Sequence, residues 1–181
     1  MKIRYNSPVI LSYALAAVSV SAFSKFGLNP GFLASPAGLD FSNPHFYLKL
    51  VSYIACHSGW SHLIGNLMII LLVGPLLEEK YGSFRVFEMI IVTAVVTALL
   101  NAFLFSTSLI GGSGIAFMLI LLSSFSNIRS GDIPLTFILI AVLFIGSEVV
   151  SILKIDRISQ FSHLAGGVVG ASYGFLRSTR R

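Results

Sequence analysis

Charged residues are what this chain has least of: Asp, Glu, Lys and Arg together make up 10% of its 181 residues, against about 25% in an ordinary soluble domain. So little charge cannot cover a water-exposed globule, which excludes a cytosolic enzyme. Cysteine is nearly absent too. Cys56 stands alone, so no intrachain disulfide framework can form, and no Cys/His cluster has the spacing of a zinc site or other metal centre. Internal repeats, low-complexity tracts and any sign of a second domain are also missing. The apolar content of 55% excludes a disordered, solvated chain. What is present, with a mean hydropathy of +0.89, is an integral membrane protein whose residues 1–181 form a single membrane domain.

A bilayer core needs roughly 17–25 apolar residues per helix. Six stretches meet or approach this: about 8–27, 61–77, 85–105, 112–127, 133–153 and 160–176. Between them lie turn-formers and most of the charge, as in Asn29-Pro30-Gly31, Glu79-Lys80-Tyr81-Gly82-Ser83, Arg129-Ser130-Gly131-Asp132 and Lys154-Ile155-Asp156-Arg157. The first stretch follows the basic start Met1-Lys2-Ile3-Arg4 but is long for a signal sequence, so a retained first helix is expected. With the N-terminus inside, cytoplasmic segments hold eight Lys and Arg (Lys2, Arg4, Lys80, Arg85, Arg129, Arg177, Arg180, Arg181) and outer segments four (Lys25, Lys49, Lys154, Arg157). The positive-inside rule therefore gives an all-α, polytopic bundle with both termini in the cytoplasm. The net charge of +5 is then an orientation signal that touches anionic lipid, and no nucleic-acid partner is implied. The long connection at about 28–60 is aromatic and sparsely charged, which places it in the outer interface.

Polar groups inside membrane helices are costly and mark functional positions. The second stretch opens His57-Ser58-Gly59-Trp60-Ser61-His62-Leu63-Ile64-Gly65-Asn66; His62 and Asn66 are four apart and share a helix face. The fourth opens Gly111-Gly112-Ser113-Gly114, and the sixth Ser162-His163-Leu164-Ala165-Gly166. All three even-numbered helices begin on the outer side, so His62, Asn66, Ser113 and His163 fall at similar depth.

That coincidence has chemical meaning. A serine hydroxyl becomes nucleophilic when a base takes its proton, and histidine is the usual base near neutral pH. Asn and His side chains and backbone N–H groups can stabilise the oxyanion that follows. Ser113 starts a helix, where unsatisfied N–H groups and the dipole favour negative charge. No acid stands beside His163 in sequence, so a Ser–His dyad is the simpler arrangement. Each feature alone has an ordinary meaning: a Gly-flanked Ser packs helices, an interfacial His hydrogen-bonds, and Asn66 joins helices. Gly166, Gly170 and Gly174 form overlapping G-x-x-x-G patterns that bring helix backbones close. Such patterns serve within a bundle and between chains, and so set no oligomeric state.

In combination these motifs resemble the rhomboid family of intramembrane serine proteases, over about residues 45–176. His62-x-x-x-Asn66 is similar to the family's H-x-x-x-N, and Glu78-Glu79-Lys80-Tyr81-Gly82-Ser83 to its E-x-x-x-G-S. Gly111-Gly112-Ser113-Gly114 is similar to G-x-S-G, and His163-Leu164-Ala165-Gly166 followed by Gly170 to H-x-x-G-x-x-x-G. The resemblance implies a six-helix bundle of the minimal bacterial form, with Ser113 as nucleophile and His163 as general base. His62, Asn66 and the Ser113 N–H would line the oxyanion hole, and Gly112 would shape the site. No cofactor is implied. Substrates would be single-span membrane proteins, cut near the outer interface of a plasma membrane and admitted laterally near the second and fifth helices. His57 matches a loop histidine often seen in the family. Two departures stand out: Leu48-Lys49 falls where the family commonly has Trp-Arg, and Phe117 replaces a frequent Tyr, so it can stack on His163 but supplies no hydroxyl.

Two other classes compete. One is a catalytically inactive rhomboid-like protein that binds membrane helices, although such relatives typically lack the Ser or the His. The other is a six-helix transporter or channel using Glu88 and Glu148, which sit at opposite helix ends. A metalloprotease lacks its H-E-x-x-H, and an aspartyl protease would need intramembrane acids where Asp40, Asp132 and Asp156 all fall in loops.

Overall fold

A computed structural model of the chain describes residues 5–27, 29–125, 135, 138, 139, 142, 143 and 157–178. Among the described residues six α-helices have defined bounds: α1 (Pro8–Phe23), α2 (Pro44–Ser52), α3 (Trp60–Tyr81), α4 (Ser83–Leu104), α5 (Ser113–Phe125) and α6 (Arg157–Ser178). No strand occurs among the described residues. Three segments, Pro8–Phe26, Trp60–Tyr81 and Ser83–Leu104, are long and apolar enough to cross a membrane, and shorter apolar helices lie at Ser113–Ser123 and Leu164–Tyr173. The expected span at 133–153 lies largely outside the described residues. Its described positions, Leu135, Ile138, Leu139, Val142 and Leu143, are helical and exposed, the spacing of one helix face.

The core is built around α5. Residues 111–120 are buried without a break, so this helix is apolar all round, as a central helix must be. By contrast α3 buries Leu63, Leu67, Ile70 and Leu77 and exposes Ile64, Met68, Leu72 and Leu76, the stripe of a peripheral helix with one side turned to lipid. α6 packs between α4 and α5, α3 lies against α5, and α1 closes on α3.

Glycines set these approaches. A Cβ on Gly166 would lie 2.8 Å from Thr97 Cβ and 3.1 Å from the Thr93 carbonyl of α4, and one on Gly170 would lie 2.9 Å from Met118 Cγ of α5. One on Gly167 would collide with the Phe117 ring. The Gly166-x-x-x-Gly170 pattern thus has a packing role inside the bundle.

The start of α1 shows how the backbone's polar groups are settled. Its first turn has Pro8, no acid and no side-chain cap from Ser7. Glu78, buried near the end of α3, takes its place: Oε1 accepts the Val9 N–H and Oε2 the Ile10 N–H, both at 3.0 Å. A carboxylate on orphan N–H groups at the positive end of a helix is favourable on both counts.

The long connection before α3 is more ordered than its composition suggested. Asn43 caps α2 through a 2.9 Å bond from the His45 N–H, with Pro44 at the first helical position, a start that suits both residues. α2 then buries Phe46 and Leu50 and leads through a 3₁₀ turn at Tyr53–Ala55 to the start of α3.

Candidate active site

Ser113 is the first residue of α5 and is buried. The turn before it needs glycine: Gly111 has φ 129°, a region that side chains with a Cβ rarely enter. The same turn is pressed from several directions. A Cβ on Gly111 would lie 3.1 Å from His62 Nε2 and 3.8 Å from Asn66 Nδ2. At Gly112 it would collide with the Tyr13 hydroxyl and come within 3.5 Å of the Ile54 carbonyl. The H-x-x-x-N motif of α3 and the G-x-S-G motif of α5 are therefore in contact.

Hydrogen bonds from the α1–α3 connection hold this turn. Gly111 N–H donates to the Tyr53 carbonyl at 3.1 Å, and Leu109 and Ser35 pair twice, through Ser35 N–H to the Leu109 carbonyl at 2.9 Å and Leu109 N–H to Ser35 Oγ at 2.7 Å. Gly112 N–H donates to His57 Nε2 at 3.4 Å. Its carbonyl accepts the Ala116 N–H at 2.9 Å and so closes the first turn of α5. Tyr13 donates its hydroxyl to the Ile54 carbonyl at 2.7 Å, and Tyr53 donates its own to Ala94 of α4 at 3.1 Å. Of these anchors the sequence reading singled out only His57. Tyr13, Ser35 and Tyr53 carried no motif; their one signal was a polar atom in an apolar segment.

Two histidines stand beside the turn. His57 and His62 meet edge to face with centroids 5.1 Å apart, and His62 Nδ1 lies 3.1 Å from Ser58 Oγ. Burial, helped by the neighbouring His62, holds His57 down to about 4, so the ring is neutral at pH 7. Because Nε2 accepts from Gly112, the proton resides on Nδ1. Asn66 is buried, and among the described residues its Nδ2 has no hydrogen-bond partner.

His163 lies on α6, one turn before Gly167; its side chain is outside the described residues. Phe117 is buried, one turn into α5, with its ring against Gly167. Among the described residues no three His, Cys, Asp or Glu side chains are grouped closely enough to share a metal ion.

Comparison with known proteins places this arrangement in a family. A rhomboid domain model matches residues 44–180. The chain is 27% identical over 139 residues to Rhomboid-related protein 1 of Caenorhabditis elegans, an alignment covering 71% of this chain and 39% of that protein. It is 26% identical over 135 residues to RHOMBOID-like protein 2 of Arabidopsis thaliana, covering 73% and 43%. Against the rhomboid protease GlpG of Haemophilus influenzae it is 21% identical over 136 residues, covering 74% and 71%. The chain thus spans less than half the length of the two eukaryotic relatives and most of the bacterial one. With the family model running from α2 through α6, this membrane protein belongs to the rhomboid family.

Proposed function

We propose that the chain is an intramembrane serine endopeptidase that cleaves single-span membrane proteins through a Ser113–His163 dyad. The observation that carries this reading is the Asn66 amide: a buried donor without an acceptor among the described residues, facing the glycine turn that leads into Ser113. An unmatched buried donor is unfavourable in the resting protein. Beside a nucleophile it is what an oxyanion needs, because the donor is already oriented when charge develops.

Helix register supports the base. Gly167 of α6 sits against Phe117 of α5, and Ser113 and His163 each lie four residues, about one turn, before that contact, on the same face of their own helix as the contacting residue. In the proposed reaction His163 takes the hydroxyl proton as Ser113 Oγ attacks the scissile carbonyl. The tetrahedral oxyanion is held by Asn66 Nδ2, His62 Nε2–H and the N–H groups at the start of α5. His163 then gives its proton to the leaving amine, and water hydrolyses the acyl-enzyme by the same route in reverse. The orientation inferred from charge puts this end of the bundle on the outer side, where water enters and a partly unwound substrate helix can reach Ser113.

The test is cleavage of a single-span reporter in liposomes that contain the purified protein. Ser113→Ala is expected to abolish cleavage and leave the thermal midpoint nearly unchanged. Cleavage retained by that variant removes Ser113 as nucleophile. A wild type that is folded and inert, yet retains the reporter helix, favours the helix-binding class instead.

A further inference from the structure

Beside the nucleophile turn, at the end of α1, is a second feature that the protease reading does not use. A cavity of about 240 Å³ is bounded by Ser21, Lys25, His57, Ser58 and Trp60, with Ile110 at its edge. No Asp or Glu contributes to its lining. Lys25 reaches over it and stacks on Trp60, with Nζ 5.5 Å from the ring centre, and among the described residues no carboxylate pairs with it.

Three further groups turn the same chemistry on this space. α3 begins at Trp60 with Gly59 before it, no side-chain cap and no acid in its first turn, so the positive end of a 22-residue helix is unopposed. Ser21 is 8% exposed, and its Oγ is buried without a hydrogen-bond partner among the described residues. His57 carries its proton on Nδ1, since Nε2 accepts from Gly112, and Nδ1 meets no acceptor in hydrogen-bond geometry, although the Ala55 carbonyl is near. A cation, an uncapped helix start and two buried donors share one cavity, and among the described residues no carboxylate or other side-chain acceptor meets them.

We infer that this cavity is a phosphate-binding site, built by Lys25, Ser21, His57 and the N-terminus of α3. Phosphate oxygens satisfy all four features at once, because helix N-termini and Lys favour anions and charge-assisted bonds to oxyanions are the strong ones. Two sources offer that chemistry: the headgroup of a phospholipid and free inorganic phosphate. Trp60 is 40% exposed at the mouth, the setting of aromatics that sit at headgroup depth. An oxygen accepting from His57 Nδ1 also holds the tautomer that receives the Gly112 N–H, so the ligand braces the turn before Ser113. The site stands apart from the dyad, and its test does not depend on proteolysis.

Trp60 is the only tryptophan in the chain, which gives the site its own optical reporter. The full-length protein in a phosphate-free, uncharged detergent is titrated with inorganic phosphate, with dihexanoyl-phosphatidylglycerol, and with dihexanoylglycerol as the phosphate-free control, while Trp60 emission is followed. A saturable change with the phosphate-bearing probes and none with the control is expected. Lys25→Gln should weaken it by about tenfold or more, the loss of one charge-assisted contact, and Lys25→Arg should retain it. Saturation by the lipid at lower concentration than phosphate assigns the site to headgroups; equal concentrations assign it to the free ion. The absence of a saturable change, an equal response to dihexanoylglycerol, or a Lys25→Gln titration matching wild type overturns the proposal.

Discussion

At the residue scale, the strongest feature is the set of groups that converge on two glycines. Asn66 holds a buried donor, unmatched among the described residues, beside the Gly111 turn. Removing one such donor typically lowers turnover about 10²–10³-fold, so Asn66→Ala is expected to lower kcat by that order with little change in KM. Steady-state kinetics on a membrane reporter would read this, and a pure KM effect would move Asn66 to substrate binding. His57 acts differently, since Nε2 accepts from Gly112. His57→Gln, which keeps an acceptor, should preserve more activity than His57→Leu; equal losses would leave only volume at that position. His62, Asn66 and Ser113 could be named as candidates from the sequence because the proposed chemistry needs those residue types at that spacing. Tyr13 and Ser35 were not, because their partners are groups in segments 41 and 74 positions away, which no local pattern encodes.

At the element scale, two contacts fix how the helices meet. Gly166 has no room for a methyl group against Thr97 and the Thr93 backbone, whereas Gly65 on α3 has nothing within 4 Å. Gly166→Ala should therefore destabilise the bundle by about 1–3 kcal/mol, the usual penalty of overpacking, while Gly65→Ala should be neutral or slightly stabilising. Unfolding midpoints in mixed detergent measure both, and equal midpoints would show that α4 and α6 yield. Glu78→Ala should destabilise the fold too, by about 2–3 kcal/mol, for the two backbone hydrogen bonds it accepts at the start of α1. Apolar runs made α1, α3, α4, α5 and α6 readable as helices, of which the first three are long and apolar enough to cross a membrane, since burial or lipid contact demands such runs over the whole helix. α2 was missed: it is nine residues long, too short for periodicity to stand out, although Asn43-Pro44 is a helix-start signal.

At the scale of the molecule, the histidines beside the site tie its fold to pH. Burial lowers His57 from 6.5 to about 4. Below 6.5 the unfolded chain gains a proton that the folded chain refuses, so this contribution to stability is complete above that pH and is lost as pH falls toward 4. Thermal unfolding between pH 7 and pH 4 should show a falling midpoint whose slope is shallower in His57→Gln; identical slopes would place the linkage elsewhere. The meeting of His62 with Gly111 agrees with the expectation that the α3 and α5 starts lie at one depth, because successive crossings return alternate helix ends to the same side. The proposed base, His163, stands out in the sequence only as part of a motif on the last stretch, and its proposed partnership with Ser113 rests on the register set by Gly167 and Phe117.

The most direct test of the dyad is labelling of the purified, detergent-solubilised protein with a fluorophosphonate probe, which reacts with an activated serine. The account predicts that wild type labels and that Ser113→Ala and His163→Ala, both folded, do not. Labelling that survives Ser113→Ala, or a folded wild type that never labels, would contradict it.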